Sequence, residues 1–167
     1  MFATFKPEEG PRGTGILVCD TPDGTFIPWS DGMVTPKDWS SLDGTFYVED
    51  GVPYMIFCHE WIQIGNGTVC AVKLTPDLKK ADGEPFVLWS AGDASWVRNV
   101  RSGESFVTDG PFVVKFGGKL ACIWASFVKG GDYCEGIAYS DNGKISGKWA
   151  VSDNLIFDDD GGHGMMF

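Results

Sequence analysis

A repeated pair of short apolar segments constrains the fold of this chain most. In the first copy, residues 45–48 and 54–58 flank residues 49–53, a turn rich in Asp, Gly and Pro. Such a turn between two short apolar runs predicts a β-hairpin. Asp43 stands just before the first strand, and residues 59–61 follow the second. Because these two ends of a hairpin face the same way, their polar side chains are expected to share one rim.

A second copy has the same order of features. Asp109 precedes an apolar run at residues 112–116, and a Gly-Gly turn leads to a second run at residues 120–125. A partial third copy begins at the Gly-Gly-His-Gly segment, where His163 or a neighbour takes the place of the Asp. Polar residues that recur at equivalent strand starts are the main functional signal of the sequence.

Further apolar runs complete two units of four antiparallel strands each. The 23 Gly, the nine Pro and an aromatic content of 14% favour many short strands and turns over helices. Repeated units of this length predict an all-β fold, a β-propeller of four-stranded antiparallel blades. A β-sandwich has similar composition and is the alternative. The recurring polar residues favour the propeller. The four additional strands are predicted at residues 69–74, 85–89, 136–140 and 149–156.

The whole chain, residues 1–167, is predicted to be one propeller domain. It comprises the second half of a blade at about residues 1–30, full blades at 43–90 and 109–157, and the start of another at 163–167. The innermost strand of each blade begins at the central cavity. Asp43, Asp109 and His163 are therefore expected to converge there.

Charge and cysteine content restrict the partners. A net charge of −10 disfavours binding to nucleic acid and to anionic membranes. The five Cys form no C-x-x-C pair, and we expect buried, reduced thiols, which favour the cytoplasm. The sequence shows no apolar run of about 18 residues and no signal peptide. The compartment stays unknown, because the N-terminus is expected to be truncated.

Three motifs together resemble glycoside hydrolase family 43. They are D-G-T-F-x-V-E-D-G-x-P-Y, T-D-G-P-F and G-G-H-G-M, and the resemblance covers nearly the whole chain. It implies a five-bladed β-propeller and inverting hydrolysis of O-glycosidic bonds in arabinose- or xylose-containing plant polysaccharides, as in arabinofuranosidases and xylosidases. The resemblance also implies a partial chain without the blade that carries the general base, and such a chain is expected to be inactive alone.

The resemblance assigns roles to the carboxylates. It implies that Asp43 orients the general acid and tunes its pKa. Asp109 takes the place of the general acid, which is Glu in the family's T-E-G-P motif and Asp in this sequence. A displacement of 1 Å costs about 10²-fold in rate, so Glu60 is a second candidate for the acid. Two carboxyl groups at neighbouring strand starts fit a coupled pair in which one pKa is raised. Alternatively, each Asp only caps a turn.

Other side chains are candidates for binding. Trp39, Trp61 and Trp96 are expected in loops at one rim, where aromatic faces stack on sugars or fill seams between blades. Arg98 is a candidate partner for the substrate or a catalytic carboxylate. His163 is expected to line the cavity beside a bound metal, with a core histidine as the alternative. No cofactor is required, but calcium in the cavity is compatible with the acidic run at residues 158–160.

Two other functions remain open at the level of sequence. A non-catalytic carbohydrate-binding propeller would explain a missing base and an Asp in the acid position. A glycoside phosphorylase would need basic residues for phosphate, for which Arg98 and Arg101 are the only candidates. Exposed blade faces also predict a homo-oligomer.

Overall fold

The computed structural model describes residues 1–166, apart from the side chain of Phe116, and it is almost entirely β-structure. Three antiparallel sheets follow one another along the chain. The first has three strands in the order β1-β2-β3. These strands are β1 (Phe2–Phe5), β2 (Gly13–Val18) and β3 (Ile27–Met33).

The second and third sheets each contain four strands, and every strand pairs with the next one in sequence. This up-and-down order is that of a propeller blade, and the predicted all-β propeller class is confirmed. The second sheet contains β4 (Ser41–Glu49), β5 (Val52–His59), β6 (Thr68–Lys73) and β7 (Phe86–Ser90). The third contains β8 (Asp109–Phe116), β9 (Lys119–Phe127), β10 (Tyr133–Ser140) and β11 (Trp149–Val151).

The only helical elements among the described residues are one turn of helix α1, Trp61–Ile64, and a 3₁₀ turn at Ala91–Asp93. No helix in that part of the chain has the length and apolarity needed to cross a membrane. The five Cys are free thiols there; four of them are buried, as predicted, whereas Cys19 is only partly buried.

Two predicted strands differ from the structure. The strand predicted at residues 149–156 ends at Val151, and beyond it the chain contacts β10 through separate backbone hydrogen bonds and an isolated bridge between Glu135 and Phe157, without a regular ladder. The strand predicted to start at His163 is not formed over residues 163–166, where no neighbouring strand supplies a hydrogen-bonding ladder. Phe167 lies outside the described residues.

The innermost strands of both full sheets begin with a β-bulge. The register shifts between Leu42 and Thr45 in β4, and between Asp109 and Phe112 in β8. In each bulge one residue adopts the left-handed conformation: Asp43 has φ 57° and Gly110 has φ 51°. A bulge bends the strand and re-aims side chains. Both predicted carboxylates therefore lie where the regular ladder is interrupted.

The core between the second and third sheets is built on tryptophan. The ring centroids of Trp96 and Trp124 are 5.1 Å apart, and those of Trp89 and Trp149 are 5.4 Å apart. Gly136 in β10 makes room for this cluster, since a Cβ atom there would overlap Cζ2 of Trp96. Indole rings bury large apolar areas and pack in tilted pairs. This cluster therefore holds the two sheets together.

We predict that Gly136→Ala destabilises the fold by about 1–3 kcal/mol, because the added methyl group overpacks the tryptophan core. Urea denaturation followed by intrinsic fluorescence measures the change. Gly15→Ala in β2 is the matched control, since a Cβ atom at Gly15 would lie 3.5 Å from Phe5, an ordinary contact. Equal stabilities of the two variants would contradict the packing argument.

The outer face of the first sheet exposes apolar side chains around a groove. Phe5 and Met33 line this groove with 39% and 44% of their surface exposed, and Leu17 and Pro28 also contribute. Exposed apolar surface of this kind favours association. The homo-oligomer stays a prediction, which light scattering over a range of protein concentrations checks. A species that stays monomeric at every concentration would contradict it.

Candidate active site

The two repeated Asp-Gly segments meet where β4 and β8 begin. The backbone N–H of Gly110 donates a hydrogen bond of 3.0 Å to Oδ2 of Asp43. Close by, the Thr45 hydroxyl donates to the carbonyl of Pro111 at 2.6 Å. On its other side, the Asp43 N–H donates to the Thr4 hydroxyl at 3.1 Å. The structure thus brings the two carboxylates predicted from the sequence to neighbouring positions. The hydrogen bond from the Gly110 N–H to Asp43 links the starts of the two strands.

The carboxyl group of Asp109 has a raised pKa. Burial raises its pKa to about 6, and the negative charge of Asp43 acts in the same direction. The Tyr133 hydroxyl donates a hydrogen bond of 2.9 Å to Oδ2 of Asp109 and partly opposes the increase, as does His163. A carboxyl group with this pKa retains a protonated fraction near neutral pH. Asp109 therefore has the property that a proton donor needs.

His163 joins the two carboxylates, as the third copy of the motif predicts. Its Nδ1 lies 3.9 Å from Oδ2 of Asp43, and 55% of its side chain is exposed. The ring packs against the backbone of Gly110, where a Cβ atom would lie 2.6 Å from Cγ of the imidazole. His163 also adopts a left-handed conformation, with φ 59°. Left-handed backbone at non-glycine residues is unfavourable and clusters at functional sites, and both Asp43 and His163 show it.

Glu60 lies near this group but is held differently. Oε1 accepts a hydrogen bond of 2.8 Å from Nη1 of Arg12, and Oε2 accepts one of 2.7 Å from the Ser40 hydroxyl. The residue is only 5% exposed. Both carboxylate oxygens of Glu60 are thus occupied by contacts within the protein. This arrangement favours a structural role for Glu60.

The three candidate tryptophans have different environments. Trp39 stacks on His59, with ring centroids 4.1 Å apart and planes 11° apart. Trp61 is partly buried, and the Arg101 guanidinium carbon lies 4.6 Å from its ring centroid. Trp96 is only 7% exposed, and its indole N–H donates to the Ser152 carbonyl at 3.0 Å. Its buried rings leave no face for a sugar, so Trp96 fills the seam between two sheets instead.

Arg98 is not paired with a carboxylate in the described part of the chain. Its guanidinium carbon lies 5.1 Å from the centroid of the Phe127 ring, and its Nε is buried without a hydrogen-bond partner there. Phe127 in turn contacts Tyr133, with centroids 5.0 Å apart. A chain of contacts thus runs from Arg98 through the rings of Phe127 and Tyr133 to Asp109.

The described residues do not form a metal-binding group. No set of three or more His, Cys, Asp or Glu side chains converges among them. His163 and Asp43 supply only two such groups, and the acidic run at residues 158–160 is exposed on a loop. Calcium in the cavity therefore stays a prediction that these residues do not support by themselves.

Two residues near the pair carried no signal in the sequence. Tyr133 contacts Asp109 directly, and Glu135 occupies the same row of the sheet as Asp109, since both pair with Ala125 of β9. Both side chains stand on β10, two strands away from β8. Predicting that Tyr133 and Glu135 lie beside Asp43 and Asp109 would have required the pairing registers of β8, β9 and β10.

The fold is that of a partial β-propeller, and comparison with known proteins gives the family. The sequence model of the family called glycosyl hydrolases family 43 matches residues 1–165. The chain therefore belongs to this family. A search of the curated proteins finds no match.

Three solved structures illustrate the similarity. An endo-arabinase from Bacteroides thetaiotaomicron VPI-5482 shares 40% sequence identity, with a TM-score of 0.91 over 97% of this chain and 59% of that one. A thermostable family-43 glycoside hydrolase shares 19% identity, with a TM-score of 0.81 over 98% and 55%. An alpha-L-arabinofuranosidase from Lactobacillus brevis shares 18%, with a TM-score of 0.71 over 95% and 54%. The last two show the fold alone, and this chain spans between half and three-fifths of each structure.

We predict that two substitutions shift the pKa of Asp109 in opposite directions. Tyr133→Phe removes a hydrogen bond to the ionised carboxylate and raises the pKa above about 6. Asp43→Asn removes a nearby negative charge and lowers the pKa. Carbon-detected NMR titration of the Asp109 carboxyl group measures both. Shifts in the same direction would show that the two side chains do not act on Asp109 as the geometry requires.

Proposed function

We propose that this chain contributes the proton donor and its neighbours to an inverting glycoside hydrolase. Its substrates are arabinose- or xylose-containing oligo- or polysaccharides, with arabinan first among them. The observation that supports the activity best is the partly buried Asp109, with a pKa raised to about 6 beside Asp43. The choice of arabinan rests on the 40% identity with the endo-arabinase.

In this proposal Asp109 acts as the general acid. Its protonated carboxyl group donates a proton to the glycosidic oxygen as the bond to the sugar breaks. The negative charge of Asp43 raises the pKa of Asp109, and the Asp43 carboxylate aligns the start of β8 through the Gly110 N–H. An inverting reaction also needs a carboxylate base about 6.5–9.5 Å from the acid, with a water between base and sugar. We assign that base to a third carboxylate, other than Asp43 and Asp109.

Glu60 supports the site without donating the proton. Its ion pair with Arg12 joins the segment before β2 to the end of β5, and Ser40 adds the start of β4. These contacts fix the rim next to the carboxylate pair. Replacing the carboxylate removes the partly buried ion pair with Arg12, so the expected consequence is a loss of stability.

Sugar binding in this proposal uses the partly exposed residues of the rim. Trp61 and Trp39 supply aromatic faces, and His163 supplies a polar side chain beside Asp43. Arg98 offers the guanidinium of a partly exposed side chain. A sugar hydroxyl is a suitable acceptor for that group.

The test compares Asp109→Asn with Glu60→Gln in the release of reducing sugar from linear arabino-oligosaccharides and from aryl arabinosides and xylosides. It uses this chain and a version extended at both ends, because the chain spans 59% of the endo-arabinase. We predict that Asp109→Asn lowers kcat by about 10²–10⁴-fold. Glu60→Gln should mainly lower the thermal midpoint. Asp23→Asn, in an exposed turn, is the matched control.

Each outcome assigns a role. A loss confined to Glu60→Gln, with the fold intact, would make Glu60 the acid and refute the role of Asp109. Saturable oligosaccharide binding without cleavage by either version would refute hydrolysis and identify a carbohydrate-binding propeller. Cleavage that requires inorganic phosphate would identify a phosphorylase.

A further inference from the structure

Glu135 is a buried carboxylate that the proposed reaction does not use. It lies in β10 and is only 5% exposed. No Lys, Arg or His side chain forms an ion pair with it in the part of the chain that is described. A buried carboxyl group without a cationic partner is unfavourable unless hydrogen bonds compensate it. Its position therefore calls for an explanation.

The side chain of Glu135 holds the backbone of one glycine. The N–H of Gly164 donates to Oε2 at 3.1 Å and approaches Oε1 at 3.4 Å. A Cβ atom on Gly164 would lie 3.3 Å from Oε2, so the glycine rests directly on the carboxylate. Burial raises the pKa of Glu135, while the Gly164 N–H and His163 act in the opposite direction.

The rest of the segment is pressed onto the same sheet. The N–H of Gly161 donates to the carbonyl of Tyr133 at 3.0 Å. A Cβ atom on Gly162 would lie 2.7 Å from both Ala125 and the Tyr133 ring. Close approach to β9 and β10 therefore requires glycine at this position. The backbone of the Gly162–Gly164 segment is fixed on both sides of its one histidine.

His163 has few contacts of its own to keep it in place. More than half of its side chain is exposed, and its nearest charged atom is Oδ2 of Asp43 at 3.9 Å. Its left-handed backbone is unfavourable for a residue with a side chain. The position of the imidazole over Gly110 thus depends on the contacts of the flanking glycines. Among the hydrogen bonds of this segment in the described residues, the one from Gly164 to Glu135 is accepted by a side chain.

We propose that Glu135 is a positioning residue, which anchors the Gly162–Gly164 segment and thereby holds His163 beside Asp43 and Asp109. The structural link stands on these contacts alone. Its catalytic consequence rests on the proposed function of the site. Gln keeps an acceptor oxygen for the Gly164 N–H, whereas Leu has similar volume and no acceptor. The pair of substitutions therefore separates the hydrogen bond from packing.

The first test measures the position of His163 by NMR, without any substrate. In the unmodified chain we expect a nuclear Overhauser contact between the imidazole Hδ2 and the α-protons of Gly110, because a Cβ atom on Gly110 would lie 2.8 Å from Cδ2 of the imidazole. The chain has only two His, so His163→Gln identifies the signal. The contact should persist in Glu135→Gln and disappear in Glu135→Leu. Persistence in a folded Glu135→Leu would overturn the proposal.

A control variant and a second measurement keep the proposal testable if Glu135→Leu does not fold. Ile137→Ala, on the same face of β10 and 3% exposed, should destabilise the protein yet keep the His163 contact. In the unmodified chain, the Gly164 amide should exchange with solvent more slowly than the neighbouring His163 amide. Equal and fast exchange of both amides would show that the Gly164 hydrogen bond is not formed, and it would refute the proposal.

The catalytic consequence is tested by a double-mutant cycle in the version that hydrolyses substrate. We expect Glu135→Leu to lower kcat by about 10-fold or more, with little change in KM, since small misplacements near a reacting group are costly. Glu135→Gln should restore most of the rate. In a His163→Ala background, Glu135→Leu should have almost no further effect. An equal loss in both backgrounds would make Glu135 merely structural, whereas absence of hydrolysis throughout would refute only the proposed function.

Discussion

The hydrogen bond from the Gly110 N–H to the Asp43 carboxylate is the contact on which the candidate site depends. It crosses from the innermost strand of one blade to that of the next, at the point where both strands are bulged. The bond satisfies a backbone donor that the interrupted ladder leaves free. It also sets the separation of Asp43 from Asp109, because Gly110 follows Asp109 directly. The geometry of the site is therefore inherited from the way two blades pack.

That packing in turn relies on the tryptophan cluster, away from the site. Trp96 comes from the loop before β8, Trp124 from β9 and Trp89 from β7. Because the cluster joins the second sheet to the third, it fixes how far apart β4 and β8 begin. A seam of large rigid rings tolerates little adjustment. The carboxylates can be positioned precisely although each stands at an irregular strand start.

Much of the fold and part of the site could be predicted from the sequence. Alternating apolar runs and turn residues gave the strand order, and the repeated Asp-Gly pairs placed Asp43 and Asp109 together. The predicted length of β11 was wrong, because the run to Ile156 contains enough apolar residues for a strand but the backbone bends at residues 153–154. The role of Trp96 could not be predicted either, since the sequence around a Trp in a loop between blades does not show whether its side chain faces the core or the solvent.

Contacts that span several strands lay beyond the reach of sequence patterns. Tyr133 and Glu135 reach the site only because β9 aligns β10 with β8 in one register, with Ala125 between Asp109 and Glu135. The partners of Glu60 are equally remote, since Arg12 precedes it by 48 positions. Patterns along the chain report local periodicity, and they carry no information on which distant side chain completes a hydrogen bond.

The elevated pKa of Asp109 also links the site to proton uptake during folding. An unfolded Asp titrates near 3.8, whereas the folded residue titrates at about 6. Between these values the native state binds more protons than the unfolded state, so this residue's contribution to stability falls as the pH rises through that window and levels off above it. At neutral pH the ionisation of Asp109 therefore lowers the stability of the folded chain. Reactivity at this position is thus maintained by the stability of the surrounding blades.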